Sequence, residues 1–411
     1  MDDPFFRQFF GGNMPRNRGG KTEVERSLGS GVIVREDGHI LTNHHVVDGA
    51  QDIKVELGNS RHVYSAKLVG TDPPSDLAVL KIDATGLPVL HLGDSDKVRV
   101  GDVCLAVGNP LGVGESVTNG IISAKGRQTG VGTGSFEDFL QTDAPINQGN
   151  SGGALVNTRA ELIGINSQIM SSTGGNIGIG FAIPSNMARG VMNQLISTGK
   201  MQRAMLGAGV QTMTSDLAQG FGLKEARGVA ITSIVPSKAA DKAGLKTGDV
   251  VLKLNGKDVD DANTLRNEIA GMKPGTDVTL SILRDGKQQD LRAHLTELTT
   301  DNTRSRESEG ESGASPSGGK LGITVIPMTS DLAAQIGVPK NTRGIVVEQV
   351  DPGSPAAAAG IEAGDVIQEI NRQAVSSAAD VPKALAKSSN GPPLLLINRQ
   401  GQTVFVTVPK E

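Results

Sequence analysis

A chain of 411 residues carries a prior of two to three domains. Lys+Arg 40 against Asp+Glu 44 gives a net charge of −4, without the basic excess of an electrostatic nucleic-acid binder. With 9 Phe, 1 Tyr and no Trp there is almost no aromatic platform for stacked bases, and the cores must come almost entirely from Val, Ile, Leu and Ala.

Taken in chain order, the first unusual feature is Phe5, Phe6, Phe9 and Phe10, an i, i+4 apolar pattern in an otherwise polar start. The opening MDDPFFRQFF is acidic and has no basic region ahead of a long apolar core. No signal peptide is visible, so the chain reads as cytosolic or as a mature or trimmed form. No stretch approaches the ~18 consecutive apolar residues of a membrane helix. From Ser27 to Met187, short apolar runs alternate with turn residues: Gly31-Val32-Ile33-Val34, Asp52-Ile53-Lys54-Val55, Leu77 to Ile82, and Leu162-Ile163-Gly164-Ile165. Such spacing, with Gly 54 in all, predicts an all-β barrel or sandwich. The single cysteine, Cys104, lies in Val103-Cys104-Leu105-Ala106-Val107 and reads as a buried small hydrophobe. A helix is predicted over Ser185 to Thr198, with Met187, Val191, Met192 and Leu195 on one face.

Beyond about residue 200 the chain repeats itself. Leu206-Gly207 returns as Leu321-Gly322, and Met213-Thr214-Ser215-Asp216-Leu217-Ala218 returns as Met328-Thr329-Ser330-Asp331-Leu332-Ala333. Ala243-Gly244-Leu245 with Gly248-Asp249-Val250 returns as Ala359-Gly360-Ile361 with Gly364-Asp365-Val366. The pattern is a duplicated domain of about 95 residues, within the ordinary size of a domain. Between the copies, Thr299 to Gly319 is rich in Ser, Gly, Glu and Arg and reads as a flexible linker.

Gly149-Asn150-Ser151-Gly152-Gly153 carries the sharpest chemical signal. A serine hydroxyl becomes a nucleophile only when a base takes its proton. Flanking glycines permit an unusual turn that can aim the N–H groups of Gly149 and Ser151 at a developing oxyanion. The base must be a histidine, and His44-His45 follows an apparent strand end. In an extended segment neighbouring side chains point to opposite sides, so only one of the two can face Ser151. The third member should be a carboxylate that orients the imidazole. Asp76, beside the apolar run Leu77-Ala78-Val79-Leu80, is the best candidate. Asp72, in the preceding Pro-rich turn, is expected to be capping or solvated.

Thr42-Asn43-His44-His45-Val46, Ser75-Asp76-Leu77-Ala78-Val79-Leu80 and Gly149-Asn150-Ser151-Gly152-Gly153-Ala154-Leu155, in that order, resemble the HtrA (Deg) serine proteases of the DegP/DegQ-like branch. The stretch Asn176 to Pro184 also resembles the end of that family's protease domain. The resemblance implies a mainly β chain: a chymotrypsin-like double β-barrel protease domain followed by two α+β PDZ domains. It implies a Phe-rich regulatory loop segment over 1–26, the protease domain over 27–199 with its N-terminal strand missing, PDZ domains over 200–298 and 320–411, and the linker over 299–319. The family pattern assigns the base to His45, giving a triad of His45, Asp76 and Ser151 with an oxyanion hole at Gly149 and Ser151. It places Ile146, Ile169 and Met170 at the specificity pocket, which without a charge at its base should favour small to medium aliphatic residues. Selectivity there should be loose, since a methylene of mismatch is worth only about 1–3 kcal/mol.

The resemblance further implies peptide-binding loops at Leu206-Gly207-Ala208 and Leu321-Gly322-Ile323, where a PDZ domain holds a terminal carboxylate and adds the peptide to a sheet edge. Ala208 stands where a larger aliphatic is usual. Arg127 resembles the arginine that couples the first PDZ domain to the active-site loops, and Phe5, Phe6, Phe9 and Phe10 resemble a regulatory loop that crosses into a neighbouring subunit. The implied activity is ATP-independent endoproteolysis of misfolded or unfolded proteins in the bacterial periplasm, with chaperone activity beside it. No Walker-type loop is present, in agreement with ATP independence. Unfolded chains and peptide C-termini are the expected partners, in a homo-oligomer of trimers or their multiples, with no nucleic acid, cofactor, metal or transmembrane segment. The rival reading is a proteolytically inactive peptide-binding chaperone or scaffold.

Overall fold

The structure, a computed structural model, describes residues 28–58, 62–112, 114–129, 135–171, 175–298, 321–339, 342–386 and 391–409. Phe5, Phe6, Phe9, Phe10 and the segment 299–319 lie outside them. The chain divides into two compact units between Gln202 and Arg203.

In the first unit, β1 (Val32–Ile33), β2 (His39–Thr42), β3 (Ile53–Glu56), β4 (Val63–Asp72) and β5 (Leu77–Ile82) form a five-stranded antiparallel sheet in the order β1-β2-β5-β4-β3. A single helical turn, α1 (His44–Val47), follows β2. Six further strands close into a barrel in the order β10-β11-β8-β7-β6-β9. They are β6 (Val103–Gly108), β7 (Ser116–Arg127), β8 (Phe139–Thr142), β9 (Ala154–Asn157), β10 (Leu162–Ile169) and β11 (Gly180–Pro184). The strand β10 is buried along its whole length, including the polar trio Asn166-Ser167-Gln168. The helix α2 (Ser185–Thr198) coincides with the expected one and buries Val191, Met192 and Leu195. These pack with Leu41, Leu77 and Val79 of the first sheet and Ile165, Phe181 and Ile183 of the barrel. The shared core joins the five-stranded sheet to the barrel, and the segments at the ends of β2, β5, β9 and β10 come together.

The second unit contains the duplication. Its first copy runs β12 (Ala204–Met205), β13 (Ala208–Thr212), α3 (Ser215–Gly220), β14 (Val229–Ile234), α4 (Ala239–Lys242), β15 (Val250–Leu254), β16 (Lys257–Asp258), α5 (Ala262–Gly271), β17 (Asp277–Arg284), β18 (Lys287–His294) and β19 (Thr296–Glu297). The second runs β20 (Ile323–Pro327), α6 (Ser330–Gln335), β21 (Ile345–Val350), α7 (Pro355–Ala358), β22 (Val366–Ile370), β23 (Gln373–Ala374), α8 (Asp380–Ala386), β24 (Leu394–Arg399) and β25 (Gln402–Thr407). The main sheets are equivalent, β13-β14-β15-β17-β18 and β20-β21-β22-β24-β25. The repeated Met-Thr-Ser-Asp-Leu-Ala motif is a helix start: the side chains of Thr214 and Thr329 accept the N–H of Leu217 and Leu332. Each copy also carries a two-pronged ion pair. Arg284 Nε and Nη2 donate to buried Asp249 at 2.7 and 2.6 Å, and Arg399 does the same to buried Asp365 at 2.7 and 2.6 Å.

The two copies share a small core of their own. Met213, Leu217, Ala218, Ala230 and Val250 of the first meet Leu394, Leu396 and Phe405 of the second. Phe221 stands edge-on to Phe405, ring centroids 4.9 Å apart, and the Arg372 guanidinium lies 5.0 Å from the Phe221 centroid. The Gln211 side chain pairs with the backbone of β25, donating to Phe405 O at 3.0 Å and accepting the Phe405 N–H at 2.8 Å.

Among the described residues aliphatic side chains dominate the apolar core, and three aromatic rings are buried in it. Phe139 and Phe181 form a buried pair with centroids 5.7 Å apart, and Phe405 sits where the two repeats meet. Cys104 is fully buried in β6, its Sγ 3.1 Å from Thr142 Oγ1, and burial pushes its thiol pKa up.

Candidate active site

The site forms where α1, the turn before β5, the loop before β9 and the strand β10 converge. Pro73–Ser75 makes a 3-10 turn closed by the Asp76 N–H on Pro73 O at 3.0 Å, and Asp76 sits at φ 53. Aspartate is among the few residues that tolerate this left-handed region. Its carbonyl accepts Asn43 Nδ2 at 2.9 Å and the His44 N–H at 3.1 Å, which locks the turn to the start of α1.

The Asp76 carboxylate faces His45. The ring Nδ1 lies 2.9 Å from both Oδ1 and Oδ2, the His45 backbone N–H donates to Oδ1 at 3.0 Å, and Ser167 Oγ donates to Oδ2 at 2.9 Å. A carboxylate only accepts, so Nδ1 carries a proton, and in the neutral ring Nε2 is then the basic nitrogen. The His45 side chain is 7% exposed and that of Asp76 23%. Ser151, 4% exposed, donates its hydroxyl to Ser167 O at 3.0 Å. Ser167 therefore touches both ends of the site, with its hydroxyl on Asp76 and its carbonyl on Ser151.

Two expectations are corrected here. His44 and His45 do not lie in an extended segment. The chain turns into α1, where consecutive side chains diverge by the helical rotation. His45 turns inward to Asp76, and His44 Nε2 lies 3.8 Å from Asp48 on the outer side. Asp72 is neither solvated nor capping a backbone N–H: it is buried and accepts the Ser75 hydroxyl.

The Gly149 loop is a tight turn. The Asn150 N–H closes it on Asn147 O at 3.0 Å, and Gly149, third of the four residues, has φ 98. A positive φ at that position alone is the type II geometry. Gly152 has φ 83, and a Cβ there would strike Ser30 O and Thr42 Oγ1. Its N–H donates to Asn166 O at 2.8 Å. Asn166 Nδ2 in turn donates to Val107 O at 3.2 Å and Ala154 O at 3.1 Å.

Ile146 and Ile169 share one buried cluster of the barrel, and Ile146 lies against the bare Cα of Gly180. Met170 stands outside that cluster, 48% exposed. Arg127 ends β7 and donates Nε to Gln141 Oε1 at 3.0 Å. In the second unit, Leu206 and Leu321 are buried, Gly207 and Gly322 have φ 78 and 69, and Ala208 and Ile323 open β13 and β20. Each of those strands ends its main sheet. Sequence reasoning missed Ser167, Ser30 and Asn166. The signal for two of them was available: three polar residues in a row inside an otherwise apolar strand must each find a partner. Among the described residues no cluster of His, Cys, Asp or Glu could hold a metal ion, and no helix is long and apolar enough to cross a membrane.

Residues 29–165 match the family described as trypsin-like peptidase domain, and residues 204–295 and 346–399 match PDZ domain families. A probable periplasmic serine endoprotease, DegP-like, of Chlamydia trachomatis is 44% identical over 412 residues, covering 100% of this chain and 80% of that protein. A protein of the same description from Ectopseudomonas mendocina is 40% identical over 408 residues, covering 98% and 85%. Among solved structures, the HtrA-type protease AlgW with a decapeptide has a TM-score of 0.57 at 45% identity, covering 69% of this chain and 87% of that one. AlgW with a tripeptide gives 0.59 at 46%, covering 67% and 91%.

Proposed function

Since the chain belongs to the HtrA family of serine endoproteases, with a trypsin-like domain followed by two PDZ domains, we propose that His45, Asp76 and Ser151 are its triad and Gly149 and Ser151 its oxyanion donors. The observation that carries this is the placement of His45 Nδ1 at 2.9 Å from both Asp76 oxygens, with Ser167 linking that carboxylate to Ser151. The Ser151 hydroxyl turns from Ser167 O to His45 Nε2, gives up its proton and attacks the scissile carbonyl carbon. Charge gathers on the carbonyl oxygen, where the Gly149 and Ser151 N–H groups stabilise it. Asp76 stabilises the imidazolium, which then protonates the departing amine. Water repeats the sequence to release the acyl group.

Ile146 and Ile169 form the wall of a small aliphatic pocket, with Met170 at its rim. Val or Ala at the cleaved bond fits such walls, and the loose selectivity suits digestion of unfolded chains. The loops at Leu206-Gly207-Ala208 and Leu321-Gly322-Ile323 bind peptide C-termini, which add as strands to β13 and β20. Arg127 couples the first PDZ domain to the active-site loops. The protein works in the periplasm, as its relatives' names support, with chaperone activity beside proteolysis. It assembles into trimers or their multiples, with Phe5, Phe6, Phe9 and Phe10 covered by a neighbouring subunit. Casein degradation by the wild type beside Ser151→Ala tests the catalytic reading. The variant should show no turnover above background, and equal negligible rates for both would sink the reading. Mass measurement in solution, with and without denatured casein, tests the assembly.

A further inference from the structure

We propose that Ser30 is a positioning residue for the oxyanion turn, holding the Gly149 carbonyl so that the two N–H donors on either side of it stay aimed at the substrate oxygen. The inference rests on the catalytic reading of Ser151 given above.

Ser30 lies just ahead of β1 and spends every polar group it has on the surroundings of the nucleophile. Its N–H donates to Ser151 O at 2.8 Å. Its carbonyl accepts Thr42 Oγ1 at 2.7 Å. Its hydroxyl donates to Gly149 O at 2.7 Å and accepts the Asn109 N–H at 2.9 Å. One side chain thus joins the oxyanion turn to the segment after β6, where Asn109 Oδ1 also takes the Gly114 N–H at 2.9 Å.

The placement of the Gly149 carbonyl matters because of what flanks it. The N–H groups of Gly149 and Ser151 stand on either side of the Gly149–Asn150 peptide. Rotation of that peptide would disturb both donors and swing a partly negative oxygen toward the place where an anion forms. Gly149 offers little resistance, since glycine is the residue with the widest backbone freedom. The Asn150 N–H bond to Asn147 O holds one end of this peptide, and Ser30 Oγ holds the other. Electrostatic stabilisation depends on donors fixed before charge develops, so a loosened carbonyl weakens transition-state binding more than substrate binding.

Ser30→Ala and Ser30→Cys remove the hydroxyl, the second with little change of volume. Three quantities are compared with wild type: kcat and KM on a chromogenic peptide with Val at the cleaved bond, inhibition by the matching peptidyl boronic acid, and inhibition by the free product peptide. The boronic acid takes Ser151 Oγ onto boron and presents a tetrahedral oxygen to the same donors. We expect kcat to fall about tenfold or more, boronate affinity to fall in parallel, and KM and product affinity to stay within about twofold. Thermal midpoints should stay close to wild type. The inference is overturned if a folded variant keeps kcat and boronate affinity within about twofold, if the loss sits in KM, or if neither variant folds, which would make Ser30 a stability residue. Ser151→Ala run alongside separates the two ideas: wild type no faster than Ser151→Ala defeats the catalytic reading, and wild type faster with Ser30→Ala unchanged defeats only this one.

Discussion

Asp76 gathers four contacts on its carboxylate and two on its carbonyl, and the distribution allows its neighbours to be ranked. Asp76→Asn keeps the shape but puts an N–H group where Nδ1 donates, which favours the wrong imidazole tautomer. A loss on the order of 10⁴-fold in kcat is expected, as for the same exchange in a serine-protease triad. Ser167→Ala removes only one hydroxyl donor to a charged acceptor, worth about 1.5–3 kcal/mol, so about ten- to hundredfold in kcat. Steady-state kinetics on one peptide substrate should return the two losses in that order, and a Ser167→Ala rate as low as that of Asp76→Asn would contradict the ranking. The proposed nucleophile and acid were legible as residue types because such groups come from a short chemical menu, whereas the choice of His45 over His44 rested on the family resemblance. The polar trio in β10 signalled that Ser167 needs a partner, but not which one, because its role follows from a register within β10 that no motif marks.

Among the elements, the turn from Asn147 to Gly153 is tightly constrained. Gly152 is held at φ 83 with its Cα facing Ser30 and Thr42, so Gly152→Ala adds both backbone strain and a collision. The strain alone costs on the order of 1–3 kcal/mol. For a domain of this size that lowers the thermal midpoint by at least about 2–4 °C, and scanning calorimetry against wild type is the check. An unshifted midpoint would mean that the turn relaxes freely. The strands β1, β3, β5 and β10 were legible as apolar runs between turn residues, and α2 was legible because it is long enough to show its period. The four residues of α1 are too few to show one, so His44-His45 read as extended. Asp72 was misjudged for a related reason: a Pro-rich turn suggests solvent, whereas the shared core draws the end of β4 inward.

For the molecule as a whole, the sequence repeat showed that there are two copies, but not that they bury a common core. Phe405 contributes to that core from β25, and Gln211 binds the same residue's backbone from β13. A buried Phe→Ala change costs about 3–5 kcal/mol, here taken from the junction. The wild-type second unit should melt in one transition, and Phe405→Ala should split it into two as the repeats uncouple. A single transition at an unchanged midpoint would show that the junction contributes nothing.

The junction also makes the two repeats unequal partners. At the places where the second copy carries the facing pair Leu396 and Phe405, the first carries Ser281 and Asp290, joined by a hydrogen bond of 2.6 Å. The two hairpins therefore differ in character: one carries an apolar pair that the junction covers, the other a hydrogen-bonded polar pair whose serine is itself buried. Exchanging their order along the chain would part the apolar pair from the face that covers it. A tandem of two first copies would leave the apolar side of α3 facing a serine and an aspartate, and a tandem of two second copies would leave Phe405 of the leading repeat without its intended cover. The two repeats are complementary rather than interchangeable, and a recombination that shuffled them would lose the shared core.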